Sequence, residues 1–145
     1  MTALASIPQA AAERILAGAF AKASEAGLKP IAVAVLDAGG RLVAFCRQDG
    51  AAPGRYEIAR GKAYGAVMLG MPGSAQMARA EAQAYFIAAA NGAFDGGLIP
   101  VPGGVLVKDA SGTVIGAVGI SGDASENDEA AAVAGIEAAG LTPAP

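Results

Sequence analysis

Residues 31–47 read IAVAVLDAGGRLVAFCR, and this stretch narrows the possible folds more than any other. Ile31 to Leu36 is apolar on both faces, as in a strand covered from both sides. Asp37 to Gly40 is turn chemistry, and Leu42 to Arg47 returns as a second strand. So short a connection makes the pair antiparallel. The same plan recurs downstream, with Val105 to Lys108 and Thr113 to Ser121 flanking an Asp-Ala-Ser-Gly turn at 109–112. Each hairpin leads through a loop into a helical pattern. The two units together predict an antiparallel sheet with helices on its faces.

Ser6-Ile-Pro-Gln9 has the capping-box pattern, with Ser6 as the cap. The helix after it puts Ala12, Ile15, Leu16, Ala19, Phe20 and Ala23 on one face and stops at Gly27. A second helix is expected from Arg55 to Leu69. Ser74 is expected to cap a third, running to about Ala90 and stopping at Asn91-Gly92. Residues 93–104, AFDGGLIPVPGG, read as a loop with room for a short edge strand near Leu98. The last helix should run from about Glu126 to Ala139, with Gly140 and Pro143 ending the fold.

At 145 residues the chain fits one domain, residues 1–145. Hydrophobic residues make up 54%, yet aromatics are only 5% and Trp is absent. The abundant small residues bury little area each, which points to a homo-oligomer. Ala-rich helix faces at 75–90 and 130–139 are the candidate packing surfaces. A net charge of −3 gives no basic field for nucleic acid. No apolar run reaches about 18 residues, so no membrane partner is expected. The start lacks a basic region followed by a distinct apolar stretch, which makes a cytoplasmic location the expectation. A single cysteine, Cys46, excludes an internal disulfide. The absence of histidine removes the commonest general base and the commonest protein ligand of zinc or haem iron.

Several groups of residues could carry chemistry. GISGDASENDEAA, from Gly119, turns a strand into a helix, where bare N–H groups often hold anions. Ser125 and Asp128 read there as a capping box, and the acids of the first turn would repel a phosphate. Gly116, Gly119 and Gly122 are left over; glycine in a strand is tolerated where a backbone or a ligand comes close. Arg47, Asp49 and Lys62 have two readings. Arg47 and Lys62 could hold a carboxylate, with Asp49 orienting the arginine, or all three could be unrelated surface charges. Cys46 alternates with Leu42 and Ala44 and reads as a buried thiol. Tyr64 and Met68, four apart on a helix, are core residues or ligands to a metal-centred ring.

Taken together, PIAVAVLDAGGRLVAFCRQDGA, IARGKA and PGGVLVKDASGTVIGAVGISGDASENDEAAA resemble the GlcG/HbpS-like family. That family includes haem-binding HbpS and the C-terminal domain of PduO-type proteins. The resemblance spans about residues 6–140. The matching positions include Asp37, Gly39, Gly40, Arg47, Asp49, Gly50, Lys62, Gly103, Gly104, Gly116, Gly119, Ser121, Gly122 and Asp128. Val105-Leu106 replaces a usual x-Pro, and Tyr64-Gly65 replaces a usual x-Thr. The resemblance implies an α+β fold, with a five-stranded antiparallel sheet between helix layers in a three-layer, profilin-like α-β-α domain. It also implies assembly into higher oligomers.

The leading functional expectation is a protein that binds a small anionic ligand, with haem or another tetrapyrrole implied by the family. Arg47 and Lys62 would contact the anion, and Gly103, Gly104, Val105, Gly119, Ser121 and Gly122 would wall the pocket. Tyr64 and then Met68 would be the haem ligands. One alternative is an isomerase, tautomerase or lyase acting on a small carboxylated metabolite, with Asp49, Lys62 or Tyr64 moving a proton. Another is an accessory oligomeric subunit without a ligand.

Overall fold

The computed structural model describes residues 6–145. Residues 1–5, on which part of the reading of the chain's start rests, lie outside them. The elements are α1 (Gln9–Ala26), β1 (Ala32–Asp37), β2 (Leu42–Arg47), α2 (Arg55–Leu69), α3 (Gly73–Ala82), α4 (Ala84–Ala93), β3 (Gly104–Lys108), β4 (Val114–Ser121), α5 (Ser125–Ala138) and β5 (Thr142–Ala144). The strands form one antiparallel sheet in the order β2-β1-β4-β3-β5. Two hairpins, β1-β2 and β3-β4, lie side by side through β1 and β4, as their repeated pattern predicts. No helix among the described residues is long and apolar enough to cross a membrane.

Strand periodicity sorts the sheet's side chains into two cores. Ile31, Val33, Val35, Val105, Val107, Val118 and Ile120 face α1 and α5 together with Ile15, Ala19, Ala132 and Ile136. On the other face Leu36, Leu106 and Ala117 meet Ala63 and Ala66 of α2. Ala32 and Ala34 meet Ala59 beside them. Helices therefore cover both faces, and β1 is buried along Ala32–Leu36. Small residues set the spacing on the α2 side. A Cβ on Gly119 would collide with the carbonyl oxygen of Ala59, and one on Gly104 with that of Lys62.

Helix ends depart from the expected caps. Pro8, in extended conformation, precedes α1, and Ser6 makes no capping bond. Pro72 does the same for α3, which places Ser74 inside the helix. In both places the fixed φ of proline pre-sets the helix entry, and no side-chain cap forms. Gly27 and Gly70 end α1 and α2 in the left-handed conformation, at φ 65° and 62°, as their positions suggest.

The single helix expected after Ser74 is two. Gln83 (φ −144°, ψ 68°) breaks it between α3 and α4. Arg79 spans the break, donating from Nε to Gln83 Oε1 and laying its guanidinium 4.1 Å from the Phe86 ring centre. These contacts outweigh the helical propensity of the run. The fifth strand is not near Leu98 but at the C-terminus, where Leu106, Val107 and Lys108 face Ala144, Pro143 and Thr142. Pro143 has no N–H to donate, which an edge position tolerates.

Candidate ligand site

β2 is an edge strand, and its C-terminal end runs into a loop held by one side chain. Gln48 donates its main-chain N–H to the Ile31 carbonyl at 3.0 Å, and its Oε1 accepts the Ile31 N–H at 2.8 Å. Gly50 follows at φ 88°, a value that favours glycine, and turns the chain against Pro30. The result is an open groove of about 650 Å³, lined by Phe20, Leu28, Pro30, Cys46, Arg47, Gln48 and Asp49. Phe20, Leu28 and Pro30 make it apolar on one side. Arg47 and Asp49 are exposed at its mouth.

Cys46 was expected in the core and is instead exposed. Its register partner Val33 does belong to the core beneath α1 and α5. At the edge, however, that core reaches only as far as Val43 and Ala44, so the thiol beyond them opens onto the groove.

Lys62 lies elsewhere. Its side chain is 3% exposed, and Nζ sits 3.1 Å from Oδ2 of Asp128, whose side chain is 1% exposed. Burial pushes the Lys62 ammonium below its ordinary pKa, against the pull of Asp128. Burial likewise pushes the Asp128 carboxyl up, against the Asp123 N–H that Oδ1 accepts at 2.9 Å and against Lys62. Ser125, already inside α5, makes no capping bond, and Asp128 accepts the Asp123 N–H rather than that of the N-cap residue. Asp123 does the local work at α5 instead, accepting from the Ala124 N–H and from Asn127 Nδ2, both at 2.8 Å. The inward turn of Asp128 has a simple cause: Lys62 would otherwise be a buried charge without a partner.

Two turns before Lys62 on α2, Arg55 donates from Nη1 to the buried Ser121 Oγ at 2.9 Å. Arg55 was not singled out from the sequence, although its seven-residue spacing from Lys62 places both on one helical face. The glycines nearby serve close packing. Gly103, at φ 114°, leaves room for the Lys62 side chain, and Gly122 abuts the Pro30 carbonyl. Gly104 and Gly119 bed α2, and Val105 is buried in the sheet.

Tyr64 and Met68 occupy a third neighbourhood. Both pack against Gly40 in the first hairpin turn. The Tyr64 ring also meets Phe94 edge-on at 6.3 Å, and the Arg60 guanidinium covers it at 4.7 Å. The cleft beside Arg60, lined by Glu57, Ile58, Gly96, Gly97 and Ile99, is about 220 Å³. The structure thus brings Arg47 and Asp49 together, whereas Lys62 faces Asp128, and Tyr64 with Met68 faces the turn. Of the three candidate proton-moving residues, Asp49 lines the groove, Lys62 faces Asp128 and Tyr64 faces the turn at Gly40.

Residues 7–137 match the family model described as haem degrading protein HbpS-like. A search of curated proteins finds no match. Among solved structures, a PduOC complex with haem superposes with a TM-score of 0.84 at 22% identity, covering 97% of this chain and 99% of that one. At that identity the likeness speaks for the fold alone. Klebsiella pneumoniae protein ORFY gives a TM-score of 0.83 at 25% identity, with 97% and 94% covered. HbpS from Streptomyces reticuli, solved as a double mutant, gives 0.78 at 29% identity, with 94% and 89% covered.

Proposed function

The chain belongs to the HbpS-like family, and from that premise we propose that it binds haem or a related tetrapyrrole in the groove at the end of β2. The observation that carries this reading is the composition of that groove. One open space of about 650 Å³ is lined by the apolar Phe20, Leu28 and Pro30, by Cys46 and by the strand-end residue Arg47. A tetrapyrrole bearing propionates asks for those three things: apolar surface for the ring, a cation for the carboxylates and a donor for the iron.

In this reading Arg47 holds a propionate, its planar fork matching the carboxylate. Phe20, Leu28 and Pro30 cover part of the ring, and Cys46 offers sulfur to the iron. Asp49 lines the same groove as Arg47. Lys62 is occupied with Asp128, and Tyr64 and Met68 with the turn at Gly40, so the donor role falls to Cys46. When bound, haem would supply the redox chemistry of its iron; the chain's own residues bind and orient it.

Haemin titration followed in the Soret region tests the assignment. A charge-assisted bond to a carboxylate contributes about 1.5–3 kcal/mol, so Arg47→Met should weaken binding by roughly ten- to a hundredfold. Arg47→Lys should recover part of that loss. Cys46→Ser should shift the Soret maximum, while Tyr64→Phe and Met68→Leu leave it in place. Folded Arg47→Met and Cys46→Ser proteins with native affinity and spectrum would place the ligand somewhere else.

A further inference from the structure

The two edges of the sheet are protected very differently. β5 is three residues long, contains Pro143 and is followed by Pro145. A short, proline-bearing edge resists pairing with other strands. β2 is six residues long, Leu42-Val43-Ala44-Phe45-Cys46-Arg47, with no proline and one charge, at its end. Leu42 is 47% exposed. Folded chains usually block an edge of this length and composition, because its free main-chain groups are a template for another strand.

The phase of the ladder shows which groups are free. Gln48 donates its main-chain N–H to Ile31, so Gln48 faces β1. Antiparallel alternation then turns Cys46 and Ala44 toward β1 as well, and aims the N–H and C=O of Phe45 and Arg47 away from the sheet. The register shift opposite Val35 and Leu36 interrupts the alternation just beyond Ala44. Two adjacent outward residues, Phe45 and Arg47, therefore remain for pairing.

We propose that β2 pairs antiparallel with β2 of a second copy of this chain about a twofold axis through Cys46, joining the two sheets into one. Of the symmetric registers, this one alone matches both outward residues. Phe45 meets Arg47 of the second copy and Arg47 meets its Phe45, giving four main-chain hydrogen bonds. Centring on Phe45 or on Arg47 instead pairs one outward residue with itself and leaves two such bonds. The chosen register also keeps like charges from facing each other directly. An unrelated peptide would share the main-chain pattern but not this twofold match of Phe45 with Arg47.

Cys46 then faces Cys46 of the second copy at a non-hydrogen-bonded position, with Cα atoms about 4.5 Å apart, inside the span of a disulfide. Cys46 and Arg47 also line the groove, so the grooves of the two copies meet at the axis and each copy completes the other's wall. The interface does not depend on what the groove binds, and its test uses protein without haem.

Diamide takes two hydrogens from two thiols, becoming the hydrazine as one S–S bond forms. At a few micromolar protein it should convert the native chain to a covalent pair, seen by intact mass and on a non-reducing gel. Cys46→Ser should remove the cross-link and still scatter light as at least two chains of 14.0 kDa. Ala44→Cys in the Cys46→Ser background moves the thiol off the axis and should stay uncoupled. If that variant does not fold, amide exchange of the native protein decides instead: Phe45 and Arg47 should be protected, and dilution should release them. A single-chain mass for the native protein and the serine variant would overturn the pairing. So would a larger assembly that diamide leaves unlinked, or equal cross-linking from position 44.

Discussion

Lys62 and Asp128 sit 66 residues apart in the chain and 3.1 Å apart in space, both buried. Each is tolerable only because of the other. Lys62→Met leaves a buried carboxylate without its partner and should lower unfolding stability by about 3–5 kcal/mol. Adding Asp128→Leu should restore most of that loss, since an apolar pair of similar volume carries no desolvation cost. Urea midpoints of the two variants measure both effects. A single mutant as stable as the native chain would show that Asp128 is protonated or reached by water. Asp128 looks like a cap in the sequence because the Ser-x-x-Asp pattern is local, and nothing local points to a lysine on another helix. Cys46 misleads in the same way: its alternation identifies its face correctly, but how far the core extends along that face depends on α1.

Between elements, α2 and β4 approach so closely that the carbonyl of Ala59 fills the place of a side chain at Gly119. Gly119→Ala should cost about 1–3 kcal/mol through overpacking, read as a lowered thermal midpoint. Gly112→Ala is a poor control because of its φ of 82°, whereas Gly92, with open space around it, is a good one. An unchanged midpoint for Gly119→Ala would mean that α2 can slide. The three-residue spacing of Gly116, Gly119 and Gly122 announces close approach, and because three is odd it serves both faces of the sheet. Gly116 opens toward Ile7 and Gly119 toward α2. Strong periodicity made α1 legible, and turn residues between apolar runs did the same for both hairpins. The break at Gln83 was not, since it carries no glycine or proline and depends on Arg79 reaching across it. β5 was hidden for the opposite reason: three residues around a proline carry no strand pattern at all.

Across the whole molecule, Asp123 ties the start of α5 to the segment between α1 and β1. Its Oδ2 accepts the Lys29 N–H at 2.9 Å, while Oδ1 serves α5. These bonds, led by that from Asn127, lower its pKa to about 2. Between that value and the ordinary one near 4, the unfolded chain binds more protons than the folded one. The contribution of Asp123 is therefore complete above about pH 4 and fades as the pH falls through about 2. Stability measured in urea from pH 5 to pH 2 should show this decline, and Asp123→Asn should flatten it. An identical acid limb in the variant would assign the decline to other carboxylates.

The placement of β1 between β2 and β4 also has a consequence for how the chain is made. β1 and β2 leave the ribosome together, but β4 and α5 are among the last elements synthesised. Until they arrive, Ile31, Val33 and Val35 have α1 on one side and no neighbouring strand beyond β1. The centre of the sheet is completed at the end of translation, through contacts distant in sequence, which form slowly. During that interval the nascent hairpin shows an apolar face and two open edges, the surface that chaperones for unfinished chains recognise.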